Sequence, residues 1–125
     1  MKHLNWKSFF KQSEENFDAA QELIHNFLEA TPEQLQALQE AIQLEHAVAV
    51  EHAAQSIKNL LKPYGAQRIV AKASELEAIG GRGELLAAER HLCELRILLE
   101  ELYEDMQAVL RKKPSRKGNL QALAE

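Results

Sequence analysis

Residues 84–112 read ELLAAERHLCELRILLEELYEDMQAVLRK. Within them Leu85, Leu92, Leu95, Leu99, Leu102, Met106 and Val109 step by seven, three, four, three, four and three. That is the spacing of one apolar seam on a helix, with Glu and Arg outside it. At about 1.5 Å per residue, a helix over most of Glu84 to Lys112 is on the order of 40 Å long. Such a helix must bury its seam against other helices, so the spacing predicts the spine of an antiparallel bundle with short connections.

The upstream chain supplies those partners. Ser13, followed by Glu14 and Glu15, reads as a helix N-cap ahead of Ile24, Phe27 and Leu28. Thr31-Pro32-Glu33-Gln34 has the form of a second start, before Leu35, Leu38 and Ile42. A kinked continuous helix fits equally well, because Pro32 removes one hydrogen bond and bending relieves its ring clash. From Glu45 to Leu61 the residues Val50, Ala54, Ile57 and Leu61 form a core stripe. At about 100° per residue, Val48, His52, Gln55, Asn59 and Lys62 fall on the opposite, wet face. Pro63 ends this segment, Tyr64-Gly65 turns the chain, and Gln67 to Ile79 forms a helix with Ile69, Leu76 and Ile79 inward. Gly80-Gly81-Arg82-Gly83 reads as a linker. Leu4, Trp6, Phe9 and Phe10 mark a short amphipathic element over residues 1–12 that caps the open end of the bundle.

Composition agrees with this all-α, antiparallel four-helix reading. The chain has 125 residues, a single-domain length, with 46% hydrophobic and 27% charged residues. Five Gly and three Pro provide too little turn material for a strand-rich fold. A single cysteine, Cys93, excludes an internal disulfide framework, and its place beside the seam predicts a half-buried, inert thiol. There is no apolar run of membrane-spanning length and no signal-peptide pattern at the N-terminus, so the expected setting is cytoplasmic. Residues 111–125 carry five cations against one anion, a net +4, which leaves −8 on the first 110 residues. An acidic body disfavours nucleic acid as a partner. The expected organisation is one bundle over 1–113 and a basic flexible tail over 114–125, with a monomer favoured over an oligomer.

Candidate chemistry is sparse. A di-iron bundle needs a Glu-x-x-His pair on each of two helices. Only Glu22-Leu23-Ile24-His25 has that form, and no metal or other cofactor is expected. Cys93 and His91 lie about 200° apart on a helix and do not form a nucleophile pair. Gly80-Gly81-Arg82-Gly83 lacks the preceding strand and following Lys of a phosphate loop.

The stretch from Ala53 to Ala66, AAQSIKNLLKPYGA, resembles the signature of histidine-containing phosphotransfer (Hpt) domains. There an exposed His is followed by Lys three positions on, Gly four on and a further Gly ten on; here those places hold Gln55, Lys58, Asn59 and Gly65. The long preceding helix with its Pro, and Leu76-Glu77 before a Gly-containing loop and long final helix, extend the resemblance over roughly residues 14 to 110. The resemblance implies a two-component phosphorelay protein whose partner is a receiver domain or sensor histidine kinase. It also implies a partner-binding face at Val48, His52, Gln55, Lys58, Asn59 and Lys62, with Gly65 as a structural position. Gln55 cannot replace the phosphoacceptor, because its amide nitrogen has no basic lone pair. Asn59 adds a side chain where the family's small Gly lets a partner approach. A pseudo-phosphotransfer module, not an enzyme, is therefore expected. Three alternatives stay open at this point: His52 as a substitute acceptor, Gln55 as an engineered replacement of the His, and a structural or oligomerising bundle.

Overall fold

The computed structural model describes residues 2–13 and 15–111. The chain order is α1 (Trp6–Gln12), α2 (Phe17–Gln43), α3 (Ala47–Leu61), a 3₁₀ turn (Lys62–Tyr64), α4 (Gln67–Gly81) and α5 (Leu85–Arg111). The basic tail expected over 114–125 lies outside the described residues. No helix among the described residues is long and apolar enough to cross a membrane.

The four long helices enclose one core. On α5, Leu95, Leu99, Leu102, Met106 and Val109 are fully buried and Leu92 nearly so. Leu85 is only half-buried, and the small Ala88 fills the seven-residue gap in the seam. Val50, Ala54, Ile57 and Leu61 from α3 and Ile69, Leu76 and Ile79 from α4 point into the same core, as their spacing predicts.

The ends of the elements differ in part from the sequence expectation. Asn16, not Ser13, caps α2, its side chain accepting from Ala19 N at 3.2 Å. Ser13 instead closes α1, donating through Oγ to Phe10 O at 2.9 Å. A serine hydroxyl serves either helix end, and the positive φ of Glu15 sets the turn between the two helices. Across Pro32 the helix is continuous: Thr31 is buried inside α2, where its hydroxyl donates to Phe27 O at 2.7 Å rather than capping a new helix. Gly80 and Gly81 belong to α4, not to a linker. A Cβ built on Gly80 would stand 2.6 Å from Val50 Cγ1 and 3.1 Å from Glu51 N, so the missing side chain is what lets α4 close on α3. Cys93 is exposed, not half-buried, because one residue past Leu92 the helix has rotated about 100° off the seam.

α1 covers the bundle end formed by the start of α2 and the end of α3. Trp6 stacks on Phe10 at 5.3 Å, and Phe9 packs against Tyr64 at 5.0 Å. Tyr64 in turn donates to Leu23 O at 2.8 Å, and burial pushes its hydroxyl pKa up to about 12. The strand of chain before α1 is held by Asp105 of α5, whose carboxylate accepts from the backbone N–H of Lys2 (3.1 Å), His3 (2.7 Å) and Leu4 (3.1 Å).

Candidate functional site

α3 is fixed on three sides, and this makes its fourth side a rigid platform. His46 caps its N-terminus, with Nδ1 accepting from Ala49 N at 3.1 Å. Its core stripe anchors it inward, and Gly80 brings α4 into close contact. At its C-terminus, Pro63 sits at the start of the 3₁₀ turn and Gly65 follows in the left-handed region at φ +64°. A Cβ there would also meet Asn5 Cβ at 2.7 Å, so the glycine is required by both backbone and space.

His52, Gln55, Asn59 and Lys62 are exposed along the outer face, and Val48 is 57% exposed at its N-terminal end. Gln55 and Asn59 stand four residues apart, which places their Cβ atoms about 6 Å from each other on one side of the helix. Neither amide is hydrogen-bonded to another described side chain, and the same holds for His52. The face thus presents uncommitted donors and acceptors, with no carboxylate and no basic nucleophile at its centre.

Lys58 is placed differently from the other five. It turns towards α4, where Nζ donates to Glu77 Oε1 at 2.8 Å, and each side chain is 24% exposed. The helical rotation puts Lys58 at the margin of the face, but its partner lies nineteen residues along the chain and no local pattern points to it.

The remaining histidines have other surroundings. His25 is exposed on α2, and His46 is occupied as a cap. His3 is buried, with Nε2 3.0 Å from Glu101 Oε1. His91 belongs to a charged group between α4 and α5: its Nδ1 lies 3.2 Å from Lys72 Nζ and 3.3 Å from Glu75 Oε2, while Lys72 also binds Glu94. The hydrogen bond that Lys72 Nζ donates to Glu94 holds the ammonium pKa above its ordinary value, and the same contact holds the Glu94 carboxyl below its own. Among the described residues, no group of three His, Cys, Asp or Glu is placed to hold a metal ion.

No protein-family model matches the chain, and no curated protein matches it. Among solved structures it is similar to histidine-containing phosphotransfer protein B from Pseudomonas aeruginosa PAO1, with a TM-score of 0.80 and 26% identity over 89% of this chain and 97% of that one. The chain has the Hpt fold. This agrees at the level of the fold with the resemblance carried by Ala53 to Ala66. Gln55 is exposed near the middle of the outer face of α3, Asn59 lies one turn further along, and Gly65 turns the chain after the helix.

Proposed function

We propose that the chain is a pseudo-phosphotransfer module of a two-component phosphorelay, which docks a receiver domain on the outer face of α3 and regulates it without accepting a phosphoryl group. The observation that carries this reading is Gln55. It is exposed at the middle of a helix whose caps, core stripe and terminal Gly65 are those of an intact scaffold, yet its amide offers no basic lone pair for attack on phosphorus. Losing the acceptor removes the transfer chemistry and leaves the docking platform. His52 is a poor substitute, because from its position Lys58 lies six residues on and about 240° around the helix.

The test is incubation of the full chain with phosphorylated receiver domains. Binding by titration, without an acid-labile gain of one phosphoryl group by mass spectrometry, is the expected result. A phosphoryl group on His52 would replace this reading with an active phosphotransfer protein. Failure to bind any receiver or sensor histidine kinase would leave the chain a structural or oligomerising bundle.

A further inference from the structure

We infer that the Gln55 and Asn59 amides make the docked chain a phosphatase of its receiver, by holding a water molecule for hydrolysis of the aspartyl phosphate. This role rests on the receiver docking proposed above and goes beyond contact alone. In the signature that α3 resembles, the side chain at position 55 is the one that meets the phosphorus. An imidazole there forms a bond to it. An amide of similar length is inert as a nucleophile but carries both an acceptor oxygen and two donor N–H groups. The oxygen can accept from a water O–H, while the N–H can donate to a phosphoryl oxygen, which places water and phosphorus side by side. Phosphoryl transfer asks little else of a protein, since the transition state is loose and catalysis is mainly positioning; a glutamine that orients the attacking water is an established solution in nucleotide hydrolysis.

Three features of the face fit this role. Gln55 and Asn59 are both exposed and stand four residues apart, so the two amides are neighbours on one side of α3. Neither is tied by a hydrogen bond to another described side chain, so both are free to take a water and a phosphoryl oxygen. Lys58, the nearest cation on α3, is paired with Glu77 and so is drawn away from the centre, leaving neutral donors there. The reaction balances without a further reagent. The water oxygen forms a bond to phosphorus as the bond from phosphorus to the aspartyl oxygen breaks; its electron pair leaves with the carboxylate, and both water protons end on the released H2PO4⁻.

The experiment follows the phosphoryl group. A receiver domain that the full chain binds is labelled with acetyl phosphate in magnesium buffer, freed of excess reagent, and mixed with saturating chain. Expected is loss of label about 10- to 100-fold faster than from the receiver alone, all of it as inorganic phosphate and none on the chain. Gln55→Ala, checked for helicity and assayed at saturation so that any loss of affinity is removed, should return the decay to the rate of the receiver alone. Unchanged decay with wild-type chain, despite measured binding, overturns the phosphatase role while leaving the docking reading standing. Acceleration that survives in Gln55→Ala overturns it as well, and absence of binding overturns both.

Discussion

Lys58 Nζ donates to Glu77 Oε1 at 2.8 Å, so the cation nearest the exposed amides of α3 is anchored to α4. Both side chains are about a quarter exposed, and a pair so wetted contributes modestly to stability. Glu77→Gln should therefore lower unfolding free energy by less than ~1 kcal/mol in urea titration. Because Lys58 is already withdrawn from the face, Lys58→Ala should change receiver affinity less than a substitution at Asn59. A larger effect of Lys58→Ala would mean that the pair opens on docking.

The scaffold around Gln55 is intact, so on the proposed reading an acceptor placed there should restore transfer chemistry. Gln55→His together with Asn59→Gly should regain phosphoryl transfer from a phosphorylated receiver, detected as acid-labile label on the chain. Adding Glu77→Gln releases Lys58 and should raise that transfer further. Silence of the double variant with a receiver it binds would show that the docking geometry has moved as well as the acceptor.

Where the chain before α1 meets α5, Asp105 accepts three successive backbone N–H groups at 2.7–3.1 Å and is 7% exposed. Asp105→Ala leaves those donors without their acceptor and should cost about 1.5–3 kcal/mol, the range for hydrogen bonds to a charged group. Beside it, hydrogen bonds from His3 and then Lys2 hold the Glu101 carboxyl below its ordinary value of 4.5. A carboxylate whose pKa is lowered by folding stabilises the fold above its ordinary pKa, and that contribution disappears as pH falls through the lowered value. The N-terminal segment should therefore loosen as pH drops from 4.5 downward, an acid step that Glu101→Gln removes. Trp6, 4% exposed and stacked on Phe10, reports this through its fluorescence.

Gly80 tests the contact between α3 and α4. Gly80→Ala drives a methyl group to 2.6 Å from Val50 Cγ1 and against the backbone of Glu51, so the helices must separate, at a cost of about 1–3 kcal/mol. A double-mutant cycle with Val50→Ala should show favourable coupling, since the smaller side chain makes room for the added methyl. Additive losses would place the strain on the Glu51 backbone instead.

The seam of α5 and the core stripe of α3 were legible because burial repeats with the helical period, and one strand of sequence carries the whole signal. The outer face of α3 was legible for the same reason, by exclusion. What sequence misread was local choice between equivalent groups: Ser13 can cap either end of a helix, and Gly80 serves as well for close packing as for a turn. What it could not carry was pairing across distance. Glu77 gives Lys58 its orientation from a different helix, and Asp105 resembles any surface acid until residues 2–4 fold back onto it.

The outer face of α3, proposed above as the docking face, gives the most direct test of how partners engage the chain. Val48, His52, Gln55, Asn59 and Lys62 line one rigid side of α3, and the amides occupy its centre. Interface energy concentrates in a few central contacts surrounded by near-neutral ones. A charge placed at the centre should therefore cost far more than one at a distance. Gln55→Glu or Asn59→Arg should weaken receiver binding by ~1–3 kcal/mol, because each adds an unmatched charge where neutral amides meet the partner. Glu104→Lys, exposed on α5 near the end that carries the N-terminal segment, should change it by less than ~0.5 kcal/mol. Isothermal titration calorimetry against one receiver domain reads all three values. Equal affinities for the α3 variants and the wild type would move the binding surface off α3, and the pseudo-phosphotransfer reading would fall with it.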